Sequence, residues 1–345
     1  MRYGLQINDD VGIHVGLVHE IKDEFDDYYI LGKGSYCDCL RKDCMKLIEK
    51  YVYDFLLPRN TVILKWINEM DVPFEQLKLP VILFRESLVE PNEIKAASKY
   101  FSVYTCPSEV PHNRTVIGRY SVLPFYDLIE KDFQTKDCKF INSHEQHRYI
   151  ADFQYYHDVE DLTFKTWFNA HELPEDEAPF VIKGKTNSRK SDWNGCMFAK
   201  TKRAAIEQGC ELQKDSLIGQ QDIIYRKYIP LETYEIGVNG LPFTNEWRIF
   251  VYEDSIVSVA YYWSNAENAE YMNMKGPTDE CIDFALRVIN RLKNKLNFYV
   301  IDLARTADGE WILVEVNDAQ MSGLSMTKPE MLYSKLAEIA GAKNG

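Results

Sequence analysis

Near the C-terminal end of the chain, Phe298-Tyr-Val-Ile-Asp302 and Trp311-Ile-Leu-Val-Glu315-Val-Asn317 flank a short Ala307-Asp308-Gly309 turn. Two apolar runs joined by an Asp-Gly turn predict a β-hairpin. Glu315 and Asn317 are two residues apart, so on a strand both side chains leave one face, where Asp302 can join them across the ladder. Together they offer hard oxygen donors. Such a set suits Mg²⁺, which takes a few carboxylate oxygens and leaves its other positions to water and nucleotide phosphates.

Three upstream segments add to this chemistry. Phe180-Val-Ile-Lys183-Gly184 predicts a short strand ending in a lysine, and it runs into a polar, basic loop, Lys185 to Gly195, that contains Ser188, Arg189 and Lys190. A strand ammonium beside loop amides and hydroxyls is equipped to hold polyphosphate. Asp222 to Glu232 reads as an apolar strand broken at Pro230. A segment that stops pairing at a proline leaves free amide and carbonyl groups, which an adenine ring can use. Thr244 to Tyr252 and Ser255 to Trp263, joined at Glu253-Asp254, predict an antiparallel hairpin whose Arg248 faces the same cavity as the oxygen cluster. A guanidinium there would stabilise charge on a transferring phosphoryl group.

Elements that must position these residues are readable from composition and pattern. With 345 residues, 46% of them apolar, the chain can bury a substantial core and divides into two or three lobes. The first part mixes a helical pattern over Lys42 to Leu57 with apolar runs at Leu79 to Phe84 and Tyr100 to Tyr104, a strand at Thr115 to Val122, and a helix beginning at Pro124. Glu172 to Ala178 is an acidic connector, and a helical stretch follows around Lys200 to Gln208.

A net charge of -13 disfavours sequence-independent binding to nucleic acid or an anionic membrane. No apolar run approaches membrane-spanning length and the acidic start lacks a signal-peptide core, so the expected location is cytoplasmic. The eight cysteines form no repeated C-x-x-C units, which fits reduced thiols, and the Cys37, Cys39 and Cys44 group lacks a fourth zinc ligand nearby. His144, His147 and His157 read as surface or core histidines, and the 22 Tyr and 17 Phe as packing.

The order of strand lysine, basic loop, proline-ended strand, Glu246-x-Arg248 strand, Asp302 and Glu315-Val-Asn317 resembles the ATP-grasp superfamily over roughly residues 140 to 340. It is most similar to a group of such proteins in phages and bacteria, with counterparts for Gly118-Arg119-Tyr, Val181-Ile-Lys183-Gly, Ser188-Arg189-Lys190 and Glu315-Val-Asn317-Asp. The resemblance implies an α+β fold in which two α+β lobes clamp ATP, preceded by an N-terminal α/β lobe. The expected boundaries are 1–140 for the N-terminal lobe, 141–230 for the central lobe with its phosphate-binding loop, and 231–345 for the C-terminal lobe with the metal site.

Residue by residue, the resemblance implies that Lys183 contacts the α- and β-phosphates, with Lys185, Ser188, Arg189 and Lys190 in the closing loop. Arg226, Lys227, Tyr228 and Ile229 would form the hinge at the adenine, and Glu232 or Glu235 would meet the ribose. Asp302, Glu315 and Asn317 would hold Mg²⁺, and Arg248 would sit near the γ-phosphate. Arg305 would be catalytic together with Arg248 and would border the acceptor pocket with Arg119 and Ser322, Arg119 and Arg305 each able to grip a carboxylate.

The implied activity is an ATP- and Mg²⁺-dependent carboxylate–amine ligase: a carboxylate attacks the γ-phosphate to give an acyl phosphate and ADP, and an amine then displaces phosphate. Its partners would be a small-molecule, peptide or protein carboxylate and an amine acceptor, with no membrane and no nucleic acid. A kinase of the same fold would use the same apparatus. A nucleotidyltransferase or nucleic-acid ligase would need K-x-D-G, and Lys190-Ser-Asp192-Trp has tryptophan in place of the glycine.

Overall fold

The computed structural model describes residues 79–85, 91–120 and 125–344, together with the backbone of three N-terminal strands. Those strands, β1 (Arg2–Asn8), β2 (Gly12–Leu17) and β3 (Tyr29–Lys33), form an antiparallel sheet ordered β2-β1-β3. The helix expected over Lys42 to Leu57 and the Cys37, Cys39 and Cys44 group lie outside the described residues.

A parallel sheet follows, ordered β5-β4-β6-β7: β4 (Val81–Phe84), β5 (Val103–Tyr104), β6 (Thr115–Arg119) and β7 (Lys139–Phe140). Helix α1 (Pro91–Ala97) connects β4 to β5, and α2 (Tyr126–Gln134) connects β6 to β7. Both apolar runs of this lobe therefore become strands, although Tyr100 and Phe101 stay outside β5 and β6 stops at Arg119. All four residues of β4 are buried, as a central parallel strand covered on both faces must be.

Two short helices, α3 (His144–Ala151) and α4 (Tyr156–Val159), lead into an antiparallel sheet ordered β10-β9-β11-β8. Its strands are β8 (Thr166–Trp167), β9 (Phe180–Gly184), β10 (Phe198–Ala199) and β11 (Ile223–Lys227), with α5 (Lys202–Leu212) packed on one face. α3 begins with a full capping box: Gln146 N–H donates to Ser143 Oγ, and Ser143 N–H donates to the Gln146 side chain. β12 (Thr233–Ile236) and β13 (Pro242–Thr244) form a separate ribbon.

The last sheet is antiparallel, ordered β15-β14-β16-β17, from β14 (Glu246–Tyr252), β15 (Ser255–Tyr261), β16 (Phe298–Arg305) and β17 (Trp311–Asp318). Helices α6 (Ala269–Lys275) and α7 (Asp279–Leu292) join β15 to β16, and α8 (Pro329–Asn344) closes the chain. In α7 the buried residues are Cys281, Phe284, Ala285, Val288, Ile289 and Leu292, the spacing of one helical stripe. That stripe packs with Trp247, Ile249 and Val251 of β14 and Tyr299, Ile301 and Leu303 of β16.

Strand alternation then assigns the opposite face. There Phe250, Tyr252, Phe298 and Val300 pack against β4, α1 and α8, while farther along the same strands come Glu246, Arg248 and Asp302. One sheet face is thus apolar where it meets the N-terminal lobe and charged beyond it.

Asn142, fully buried, locks the parallel lobe to this sheet. Its Oδ1 accepts from the amides of Asn297 (3.1 Å) and Phe298 (3.0 Å), and its Nδ2 donates to Phe298 C=O (2.6 Å) and Asp318 Oδ1 (2.9 Å). Asn142→Ala strands two buried amides, and we predict a loss of about 3 kcal/mol of stability, read from the midpoint of urea unfolding.

Candidate functional site

A cleft opens between the β8–β11 sheet and the β14–β17 sheet. On β9, Phe180 and Ile182 enter the core under α5, so Val181 and Lys183 face the cleft. Lys183 is 6% exposed and donates a short hydrogen bond to Glu315 on the opposite sheet. This ion pair joins the two walls.

Glu315 reaches that position through a β-bulge. Leu303 pairs with Leu313, but Asp302 pairs with Glu315, so Val314 is an extra residue in β17. Without it Glu315 and Asn317 would fall on the core face with Leu313. The bulge turns both toward Asp302, and Asn317 Nδ2 donates to Glu315 Oε1 (3.0 Å) and reaches Asp302 Oδ2 at 3.5 Å.

Arg226 secures the bulge. Its side chain, 4% exposed, donates to Val314 C=O (2.5 Å), Thr163 Oγ1 (2.7 Å) and Thr166 Oγ1 (3.3 Å), with its guanidinium 4.6 Å from the Phe164 ring centroid. Thr163 Oγ1 in turn donates to Leu313 C=O at 2.7 Å.

Asp302 is fully buried and receives Arg248 in a two-point clasp, Nε to Oδ1 at 2.9 Å and Nη2 to Oδ2 at 2.8 Å. Arg248 also donates to Gly323 C=O (2.8 Å). Asp302, Glu315 and Asn317 therefore present two carboxylates and a carboxamide, each carboxylate facing a cation. Among the described residues no group of three or more His, Cys, Asp or Glu side chains converges on one point. The donor chemistry fits Mg²⁺ that takes its remaining ligands from water and phosphate, not a closed protein cage.

Charge in the cleft is unevenly settled. Burial opposes ionisation of Glu315, but Lys183 and Lys190 outweigh it and hold the carboxyl well below the ordinary range. Burial draws Lys183 below the usual lysine value even with Glu315 in contact, because Arg226 and Lys190 repel it. Lys190 lies above the usual value, since Tyr262, Glu246 and Glu315 overcome the cost of its burial.

Glu246, 4% exposed, is pushed up to about 7 by burial and by Asp302 and Glu315, with Lys190 and the Thr244 hydroxyl opposing. The sequence pattern did not single it out as a site residue; its signal was sharing the strand phase of Arg248. Tyr262 and Trp263, also unassigned from the sequence, meet the loop lysine: Lys190 Nζ donates to Tyr262 Oη and lies 4.2 Å from the Tyr262 ring centroid.

Of the residues expected to hold the cofactor, Lys183, Ser188, Lys190, Arg226, Lys227, Tyr228, Ile229 and Glu315 line this cleft. Lys185, Arg189, Glu232, Glu235 and, of the expected metal ligands, Asp302 and Asn317 are not among its lining residues. Lys185 pairs with Asp222 (2.6 Å), Arg189 with Asp215 (3.5 Å), Glu232 accepts from Asn245 (3.0 Å), and Glu235 accepts from the Glu267 amide (2.9 Å).

Arg305 leaves β16 on the face opposite Asp302, three positions away, and sits against Glu232 (3.6 Å) and Gly309 C=O (3.2 Å). It is not brought to Arg248. Arg119 and Ser322 line a second cavity beside the β6 end and residues 320–329. There Arg119 is already committed to Glu93 (2.9 Å) and to the Ala319 and Ser322 carbonyls, the acidic partner in the N-terminal lobe being the alternative to a carboxylate grip.

Asp318, next after Asn317, ties His147 Nδ1 (3.1 Å), Asn142 and the Gln320 amide (3.0 Å), so His147 is a buried structural histidine. Cys106, Cys138, Cys196, Cys210 and Cys281 are free thiols. Among the described residues no helix is long and apolar enough to cross a membrane.

Raised above the ordinary value of 4.5 in the folded chain, Glu246 takes up a proton more readily folded than unfolded. Its contribution to stability is therefore complete below about pH 4.5 and is lost as pH rises toward 7. We predict that Glu246→Gln, which cannot ionise, matches the wild type at pH 4.5 and exceeds it by about 1–3 kcal/mol at pH 8, measured by denaturant unfolding across that range.

Residues 171–336 match the family model described as ATP-grasp domain, R2K clade family 3. A comparison with curated protein sequences finds no match. Among solved structures, the chain is similar to a RimK domain protein ATP-grasp from Sphaerobacter thermophilus DSM 20745, at 13% identity over 74% of this chain and 98% of that one, with a TM-score of 0.47. It is likewise similar to D-cycloserine synthetase DcsG, at 13% identity over 75% of this chain and 99% of that one, TM-score 0.48. The ligase PsnB complexed with minimal precursor, Mg and ADP is 8% identical over 76% of this chain and 98% of that one, TM-score 0.47. Residues 171–336, which carry most of the cleft lining, thus match an ATP-grasp domain.

Proposed function

We propose that this protein is an ATP- and Mg²⁺-dependent ligase that joins a carboxylate to an amine through an acyl phosphate. The observation that carries the reading is the chain of contacts that runs from Lys183 and Glu315 in the cleft wall through Asn317 to Asp302 and Arg248, cations and hard oxygens interleaved. Phosphoryl transfer needs positioning and charge neutralisation more than a protein nucleophile, and this cluster supplies both.

In this reading the apolar end of the cleft, with Phe164, Met197 and Ile229, takes the adenine. Lys183 holds the α- and β-phosphates, Ser188 and Lys190 cover them, and Arg248 orients the γ-phosphate against the attacking carboxylate. Arg226 acts on the nucleotide indirectly, by keeping Glu315 and Asn317 on the site face. Asp302, Glu315 and Asn317 would hold Mg²⁺, which when bound would supply charge neutralisation to the nucleotide phosphates. The ribose acid proposed from the sequence, Glu232 or Glu235, would have to leave its present partner, so Thr233 at the cleft wall is the nearer polar group.

Chromatography of nucleotide products after incubation with Mg-ATP and a pool of amino acids, peptides and carboxylic acids tests this. We expect ADP and free phosphate whose formation depends on the pool, and a drop on the order of 100-fold in Glu315→Gln, which keeps the volume and loses the charge. ADP without phosphate release would indicate a kinase; AMP with pyrophosphate would overturn the reading.

A further inference from the structure

The Lys190 ammonium occupies a built cation site. Besides its contact with Tyr262, it lies 5.0 Å from the Trp263 ring centroid. Tyr262 also has the Arg248 guanidinium 4.7 Å from its centroid, so the ring serves two cations. Glu246 lines the same cleft and accepts from Thr244 Oγ1 at 3.1 Å. Unlike Asp302 and Glu315, it has no ion-pair partner of its own among the described residues. Aromatic faces beside a buried carboxylate are a recognition surface for an ammonium group.

Lys190 is not a fixed occupant. It stands on a one-turn 3₁₀ segment, Lys190–Asp192, and a triphosphate in the same cleft offers it far more negative charge than Glu246 does. Once Lys190 turns to the phosphates, Glu246 loses its counter-charge, Trp263 loses its cation and Tyr262 keeps only Arg248, and an unpaired buried carboxylate is costly. A second cation restores the balance.

We propose that the corner formed by Tyr262, Trp263 and Glu246 binds the primary ammonium group of the second substrate, an alkylamine, and that the Lys190 ammonium marks where it sits. The proposal rests on the ligase reading and names the chemistry of its amine partner. It also assigns Tyr262 Oη as a hydrogen-bond partner that selects a primary ammonium over a quaternary one.

Isothermal calorimetry with n-butylammonium chloride on the full chain tests it. Lys190→Ala is expected to bind the probe at least about tenfold more tightly than the wild type, and the Lys190→Ala, Glu246→Gln double variant to lose that gain. The wild-type chain saturated with Mg-ATP should show the same gain with no substitution, which keeps the test decisive if a variant does not fold. Equal probe affinity in the wild type with and without Mg-ATP and in Lys190→Ala overturns the proposal, as does a gain that survives Glu246→Gln. ATP affinity measured on the same wild-type protein separates the two levels: failure to bind ATP removes the ligase reading and the proposal with it, whereas ATP binding without a gain in probe affinity removes the amine site alone.

Discussion

Asp302 pairs with Glu315 only because β17 carries one residue more than β16 matches, and the surplus carbonyl of Val314 is taken up by the buried guanidinium of Arg226. Strand alternation is strict, so a single inserted residue exchanges the faces of everything beyond it. Upstream of the bulge Leu313 faces the core; downstream Glu315 and Asn317 face the cleft and Val316 returns to the core. The ion pair between Lys183 and Glu315, and through it the closure of one sheet on the other, depends on that exchange. Arg226 comes from the opposite sheet, on the strand antiparallel to β9, so the two walls are coupled at the same point by both a carbonyl and a carboxylate.

The cleft is crowded with paired ions. Asp302 and Arg248 satisfy one another, as do Glu315 and Lys183. Buried pairs of this kind contribute little net stability, because desolvation offsets much of their attraction, but leaving one partner alone is costly. In the proposed ligase, Glu315 would be available to hold Mg²⁺ and Lys183 to neutralise nucleotide phosphate, each in place of its present partner. Glu246 stands apart from these pairs: it accepts from Thr244 Oγ1 and feels the charge of Lys190 without a direct ion pair among the described residues.

Much of this was legible in the chain. The hairpins around Asp308-Gly309 and Glu253-Asp254, the strand that ends at Lys183 and Gly184 and the helix after it follow from period-two and helical spacing over long apolar runs. The convergence of Asp302 with Glu315 and Asn317 was also readable, although the bulge that makes it possible was not, since Val314 looks like any strand valine. Arg305 shows the converse: its odd-numbered offset from Asp302 places it on the other face, where it meets Glu232. The resemblance implies a hinge role for Arg226; that its side chain also holds the bulge is a contact 88 positions away in the chain that no local pattern encodes. The commitment of Arg119 to Glu93 and of Lys190 to Tyr262 are likewise tertiary facts.

The account turns on Lys183 being the cation that leaves Glu315 for the nucleotide. Calorimetric titration of Mg-ATP into the wild type and into Lys183→Met, which keeps the aliphatic stem and removes the ammonium, tests that most directly. At least about a tenfold weaker affinity is expected in the variant, together with a lower unfolding temperature, since Glu315 is left without its buried partner. Equal ATP affinity in a folded Lys183→Met chain would contradict it.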